Sequence, residues 1–288
     1  MLLALVVAGA SAAAALHRRR RRRGLSRLQR AVCECARVID CTHVLAEDYG
    51  SRFATVCPFE RRVLLAHGVG GSRRSKQLLT MNGGLGTHVD SPEHFVAGGR
   101  TVDALSAARE LVAPCALLSV EAACALDRDH EIGVDALRAW EAAHGRLPPR
   151  CVVLARTGWG AKYADPAAYL GHEPAEPHPN YPGGCMHFPG FSAAAAAWLV
   201  RERPDFGGVG VDTLSPDPGR SVDMPVHYAV LGADKLIVEN LDLAGVPEAG
   251  AVLVIAPLKA RGAPEAPARV FALVEGRADA VSRIDRAR

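Results

Sequence analysis

The segment Gly86-Thr87-His88-Val89-Asp90-Ser91-Pro92-Glu93-His94-Phe95 sets two imidazoles and the carboxylate of Asp90 within seven residues, His88 to His94. His88 and Asp90 are two apart, so in extended backbone their side chains share one face. Neutral imidazole and carboxylate are the ligand types that hold Zn²⁺, Mn²⁺ or Fe²⁺. Pro92 stiffens the chain and biases Ser91 away from helix, and His94 then overhangs the same point. An isolated His-x-Asp pair is more often a polar loop whose side chains cap turns. The glycines before the pair, the proline inside the cluster and the extra imidazole shift the reading toward a metal site.

The elements that must position this cluster follow from pattern. Val38 to His43 reads as a short strand, and Ala46 to Lys76 as a less regular region. Ala116 to Val120 and the β-branched run Cys151 to Ala155 read as strands, the second buried. Val134 to His144 reads as a helix stopped by Gly145 and Pro148. Five prolines make Tyr163 to Met186 loop-rich. Ser192 caps a helix from Ala193 to about Arg203, whose alanine run favours helix. Val209 to Val211 delivers Asp212. Val226 to Leu231 is a short helix carrying His227 and closed by Gly232, and Lys235 to Glu239 is a strand ending in a carboxylate. Val252 to Ala256 and Arg269 to Val274 finish the sheet. Strands outnumber helices and long loops separate them, which predicts mixed α/β around a sheet or barrel rather than a regular doubly wound fold.

With 288 residues, 49% of them hydrophobic, the chain can bury a sizeable core. The net charge of +3 includes the six arginines at 18–23, so the remainder carries −3. That body holds no basic helix and no aromatic–basic interleave, which excludes nucleic acid as a partner. Residues 1–24 form a separate leader: an apolar run from Leu2 to Leu16, then the arginines. The run is short for a spanning helix, which needs about 20 residues. Positive charge after it would keep the body in the cytosol; a membrane tether and an organellar transit peptide both fit. Among eight cysteines no CxxC pair occurs, so a cysteine zinc ribbon is excluded. Several lie in apolar runs as small core residues, in keeping with a reducing, cytoplasmic compartment.

Five stretches carry a resemblance. Residues 86–95 resemble the HxGTHxDxPxH motif of the cyclase family of metal-dependent hydrolases, which includes bacterial kynurenine formamidases and isatin hydrolases. Val153 to Trp159 resembles that family's strand ending in RTGW. Val209 to Asp217 resembles its GxDTxSxD segment, and His227 with Val238-Glu239-Asn240-Leu241 its late histidine and E-N-L segment. Pro257-Leu258-Lys259 matches its late P-L-K turn. The resemblance runs from about 37 to 275 and places one hydrolase domain at 37–280.

It implies a swivelling β/β/α fold, a homo-oligomer, and hydrolysis of an amide on an aromatic nitrogen. The nearest activity is that of an arylformamidase of tryptophan catabolism, with isatin hydrolase-like opening of a cyclic amide, or a non-catalytic binding protein on the same scaffold, as alternatives. His88, Asp90, His227 and Glu239 are the implied metal ligands for Zn or Mn, with His94 as the catalytic histidine and Glu93 a bystander. His187, in Gly184-Cys185-Met186-His187-Phe188-Pro189-Gly190, resembles a second active-site histidine. The first histidine of the motif falls at Gly84, which removes one donor. A single divalent ion is therefore expected, unless His187 or His43 fills the gap. A serine hydrolase is excluded by the lack of a GxSxG elbow.

Overall fold

The computed structural model describes residues 26–32, 36–47, 59–179 and 184–276. The leader, residues 1–24, lies outside the described residues, as do Cys33, Cys35, Cys57 and Pro182. The chain divides into a large unit, residues 39–272, and a small one formed by residues 1–38 and 273–288. In the small unit, Ser26 and Gln29 form a capping box on a one-turn helix, α1 (Arg27–Arg30).

The strands β4 (His88–Asp90), β5 (Val112–Ser119), β7 (Val152–Arg156), β9 (Gly208–Val211), β10 (Leu236–Glu239), β11 (Val252–Pro257) and β12 (Glu265–Glu275) form one mixed sheet. β1 (Ala36–Asp40) lies at its edge. The order is β1-β12-β11-β5-β7-β9-β10-β4, and β4 pairs again with β12, so seven strands close into a barrel-like ring. Neighbours β5, β7, β9 and β10 run parallel. Their Val- and Leu-rich sequences suit strands buried on both faces; the first four residues of β7 are buried. The closing contacts of β4 with β10 and β12 are antiparallel. Two short pairs stand apart, β2 (Glu60–Leu65) with β3 (Lys76–Thr80), and β6 (Glu131–Ile132) with β8 (Gly190–Phe191).

Helices cover the parallel part. In α3 (Val134–His144), Leu137 and Trp140 are buried three residues apart, and Gly145 at φ 87° ends the helix. In α5 (Ala193–Glu202), the Ser192 hydroxyl accepts the Ala195 amide, and Ala195, Ala196, Trp198 and Leu199 face the core. α6 (Pro225–Gly232) starts with proline at its first position and buries Val226, His227, Val230 and Leu231. These helices and the sheet enclose one large apolar cluster, and each fully buried Leu or Val there contributes about 1.5–3 kcal/mol. Two more short helices are α2 (Glu121–Leu126), which buries Cys124, and α4 (Pro166–Leu170), whose Tyr169 and Leu170 join a second apolar cluster with Leu85, Trp159 and Phe188.

The expected elements are present with shifted ends. β1 stops at Asp40, so His43 lies outside it. Gly232 is the last helical residue and not the cap; the left-handed turn falls at Asp234, φ 60°. The stretch read as irregular, Ala46 to Lys76, contains β2, which pairs with β3 at and just beyond its end; the residues of both strands are all exposed, so no buried face marks them. β12 begins four residues before the expected Arg269, because Pro267 inside it reads as a strand breaker. Cys41, Cys115, Cys124, Cys151 and Cys185 are free and buried, in line with small core residues.

Candidate metal centre

β4 lies between β10 and β12, and its register assembles the site. Glu239 is opposite His88, and Glu265 is opposite Asp90. Directly opposed residues share a face, so three strands project His88, Asp90, Glu239 and Glu265 to one side. α6 adds His227 from above. His88 Nε2 lies 3.3 Å from Asp90 Oδ1 and 3.2 Å from Glu239 Oε2. His227 Nε2 lies 3.7 Å from Asp90 Oδ2 and 3.3 Å from Glu239 Oε1. Each carboxylate thus spans both imidazoles, one oxygen to each. Asp90 is 1% exposed in its side chain, and neither of its oxygens has a hydrogen-bond partner. A buried carboxylate without donors is costly, and a cation is what such oxygens lack.

The outward nitrogens are held from behind. His88 Nδ1 donates to the Gly86 carbonyl at 2.8 Å, which aims Nε2 inward. The Asn240 side-chain amide donates to the same carbonyl, the Thr87 hydroxyl donates to the Asn240 carbonyl, and the Tyr169 hydroxyl donates to Asn240 Oδ1. Gly86 sits at φ 70°, where a Cβ would also strike Leu45 Cδ2. His227 Nδ1 donates to Asp217 Oδ2 at 2.6 Å, and Asp217 also accepts the Val226 and His227 amides at the start of α6. Phe95 stacks on His227 with ring centroids 4.4 Å apart. The RTGW and GxDT segments are scaffold for this face: buried Asp212 accepts the Thr157 amide and hydroxyl and the Gly158 amide.

Burial opposes charge on both imidazoles, yet the facing carboxylates win. Asp90 and Glu239 raise His88 well above the usual histidine range, and Asp217, Asp90 and Glu239 do so for His227. Burial opposes ionisation of Asp90 too, but His88 and His227 hold it below the usual carboxylate range. The protons that balance these carboxylates occupy the Nε2 positions a metal ion would take. Two imidazoles with the buried carboxylates of Asp90 and Glu239, the oxygens of Asp90 unpartnered, fit a divalent ion.

Comparison with known proteins agrees. The model of the Cyclase family, described as "Putative cyclase", matches residues 39–218. This chain belongs to the Cyclase family. Isatin hydrolase of Roseibium aggregatum is 30% identical over 66% of this chain and 71% of its own. Kynurenine formamidase of Bordetella pertussis is 27% identical over 66% and 77%. The structure of isatin hydrolase A from Ralstonia solanacearum superposes with a TM-score of 0.75 at 32% identity, covering 83% of this chain and 92% of that one. The Cyclase-family assignment makes this protein a metal-dependent hydrolase, and its relatives include an isatin hydrolase and a kynurenine formamidase. His227 and Glu239 lie beyond the matched range, and the fold returns them to the motif's side.

The remaining expected residues divide. His94, in the one-turn 3-10 helix Pro92–His94, is partly exposed at the rim, with Nε2 3.8 Å from Glu265 Oε2. His187 belongs to a second cluster: its Nδ1 meets Asp129 at 2.8 Å and its Nε2 lies 3.4 Å from Glu176, with Cys185 close by. Neither His187 nor His43 stands at the Gly84 gap. His43 stacks on Tyr163 at 3.7 Å, while the three atoms nearest a Cβ on Gly84 all belong to Glu265. Sequence reasoning missed Glu265, and it left Asp217 without a role. The His88-facing register of β12 was hidden by Pro267; the Gly83-Gly84 pair was the visible sign that something packs against that backbone.

No helix among the described residues is long and apolar enough to cross a membrane.

Proposed function

We propose that this protein hydrolyses an amide carried on an aromatic nitrogen, with His88, Asp90, His227 and Glu239 as ligands for Zn²⁺ or Mn²⁺. The observation that supports this most is the pair of unpartnered, buried Asp90 oxygens between two imidazoles that are each oriented from behind. A divalent ion bound there would lower the pKa of water to about 7 and polarise the amide carbonyl. The chain's own groups do the rest. Asp217 and the Gly86 carbonyl keep the two Nε2 atoms aimed inward. His94, at the rim, carries the proton to the leaving nitrogen through Nε2. His187, anchored on Asp129, is proposed as a second histidine acting during turnover.

The fold overlap with isatin hydrolases, TM-scores 0.74 to 0.76, favours a cyclic amide such as isatin. The kynurenine formamidases support a second reading, an open-chain arylformamide such as N-formylkynurenine in tryptophan catabolism. A homo-oligomer fits the exposed Val63, Leu64, Leu65, Leu78 and Leu79 of the β2–β3 hairpin. Elemental analysis joined to assays on both substrates tests the proposal. Bound divalent metal and turnover of either substrate are expected, with His94→Ala losing turnover by roughly 10²–10⁴-fold while keeping metal. Wild-type protein that folds without metal and is inert toward both would overturn it.

A further inference from the structure

The site departs from its family at Gly84, and the space there is not open. A Cβ on Gly84 would lie 2.6 Å from Glu265 Oε2, and one on Gly83 would lie 2.7 Å from the Glu265 carbonyl oxygen and 2.8 Å from its Cγ. The two glycines form a cradle that Glu265 fills. The register of β12 fixes this from the other side, because Glu265 is opposite Asp90. His88, Asp90 and Glu265 each offer one ligand atom, all within 4.8 Å of one another.

We infer that Glu265 is a metal ligand that replaces the donor missing at Gly84, so that His88, Asp90 and Glu265 hold a first ion and Asp90, His227 and Glu239 a second. The inference rests on the metal-hydrolase reading above. It revises the expectation of one ion, which assumed that Gly84 left the first position with only two donors. With Glu265 that position has three protein ligands, the number a tight catalytic site usually needs. Asp90 spans both positions, Oδ1 toward His88 and Oδ2 toward His227. Charge agrees: three carboxylates converge here, so one divalent ion leaves the pocket net negative and two make it net positive. A net-positive pocket suits a reaction whose product is a carboxylate.

The test counts ions per folded chain by elemental analysis after loading with Zn²⁺ or Mn²⁺ and dialysis. Wild type, Glu265→Ala, Glu265→Gln, Gly84→His and the double variant Gly84→His/Glu265→Ala are compared, with circular dichroism to confirm folding. Two ions are expected for wild type, one for each Glu265 variant, and two again for the double variant, whose new imidazole enters the vacated space. Gly84→His alone must displace Glu265 and is expected to keep two. One ion in wild type, or two in both Glu265 variants, would overturn the inference. Zero ions in wild type would instead fell the metal-hydrolase reading beneath it, so the two failures are distinct.

Discussion

His227 and His187 are built alike and placed differently. Each is buried, and each gives its Nδ1 to an aspartate, Asp217 at 2.6 Å and Asp129 at 2.8 Å. An aspartate on Nδ1 fixes the tautomer and aims the other nitrogen, the arrangement that metal-ligating histidines favour. What Nε2 then meets separates them. His227 Nε2 faces Asp90 and Glu239, both closed off from water. His187 Nε2 faces Glu176, whose side chain is half exposed. A half-exposed carboxylate is satisfied by solvent and does not need an ion; two buried ones do. A carboxylate–histidine pair is therefore not a site by itself, and its far side decides.

The largest effect should come from removing each imidazole. His227→Ala is expected to lose metal and at least about 10³-fold in turnover, since the ion and its chemistry go together. His187→Ala is expected to keep the full metal content, with a turnover loss of at most about 10²-fold. Metal content and steady-state rates on the same samples check both. Loss of metal from His187→Ala would erase the distinction drawn above.

The same contrast explains what was legible in the chain. His88 and Asp90 are two apart on one strand, so local spacing showed their shared face. The strands themselves were legible because β5, β7, β9 and β10 are dense in buried apolar residues. Asp217 and Glu265 were not legible as site residues, for different reasons. Asp217 reaches His227 only because α6 turns back over it. Glu265 reaches Asp90 only because the sheet closes β12 onto β4. Ring closure pairs strands some 175 residues apart, and nothing in a local window encodes it. The β2–β3 hairpin failed in the opposite sense: its pairing is local, but with every residue exposed it lacks the alternation that marks a strand.

A smaller effect isolates the aspartates. Asp217→Asn retains shape but weakens the hold on His227 Nδ1, and metal affinity should fall roughly 10–100-fold. Asp129→Asn should leave metal affinity within error of wild type. Calorimetric titration of metal-stripped protein separates them. Equal losses for both would mean that the His187 cluster also contacts the ion.

The smallest effect is a pH dependence of the stripped protein. After chelation, His88 and His227 are raised above the ordinary histidine range by the carboxylates they face. A raised histidine contributes stability that is fully present below its unfolded value near 6.5 and is lost as pH climbs through the folded value. Asp90 is depressed, so its contribution is present above about 4 and is lost only in acid. Stripped protein should therefore be most stable between those limits and lose Tm steadily above pH 6.5, on the order of 2–4 °C for each kcal/mol given up. Loaded protein should respond in the opposite sense, because the ion needs neutral imidazoles and binds more tightly as pH rises. The Tm gap between loaded and stripped samples is thus expected to widen from pH 6 to 9. His227→Ala should flatten the alkaline decline, whereas His187→Ala should leave it. Thermal scans of the three proteins across that range check this. An alkaline decline that persists in His227→Ala and vanishes in His187→Ala would place the coupled carboxylates in the other cluster.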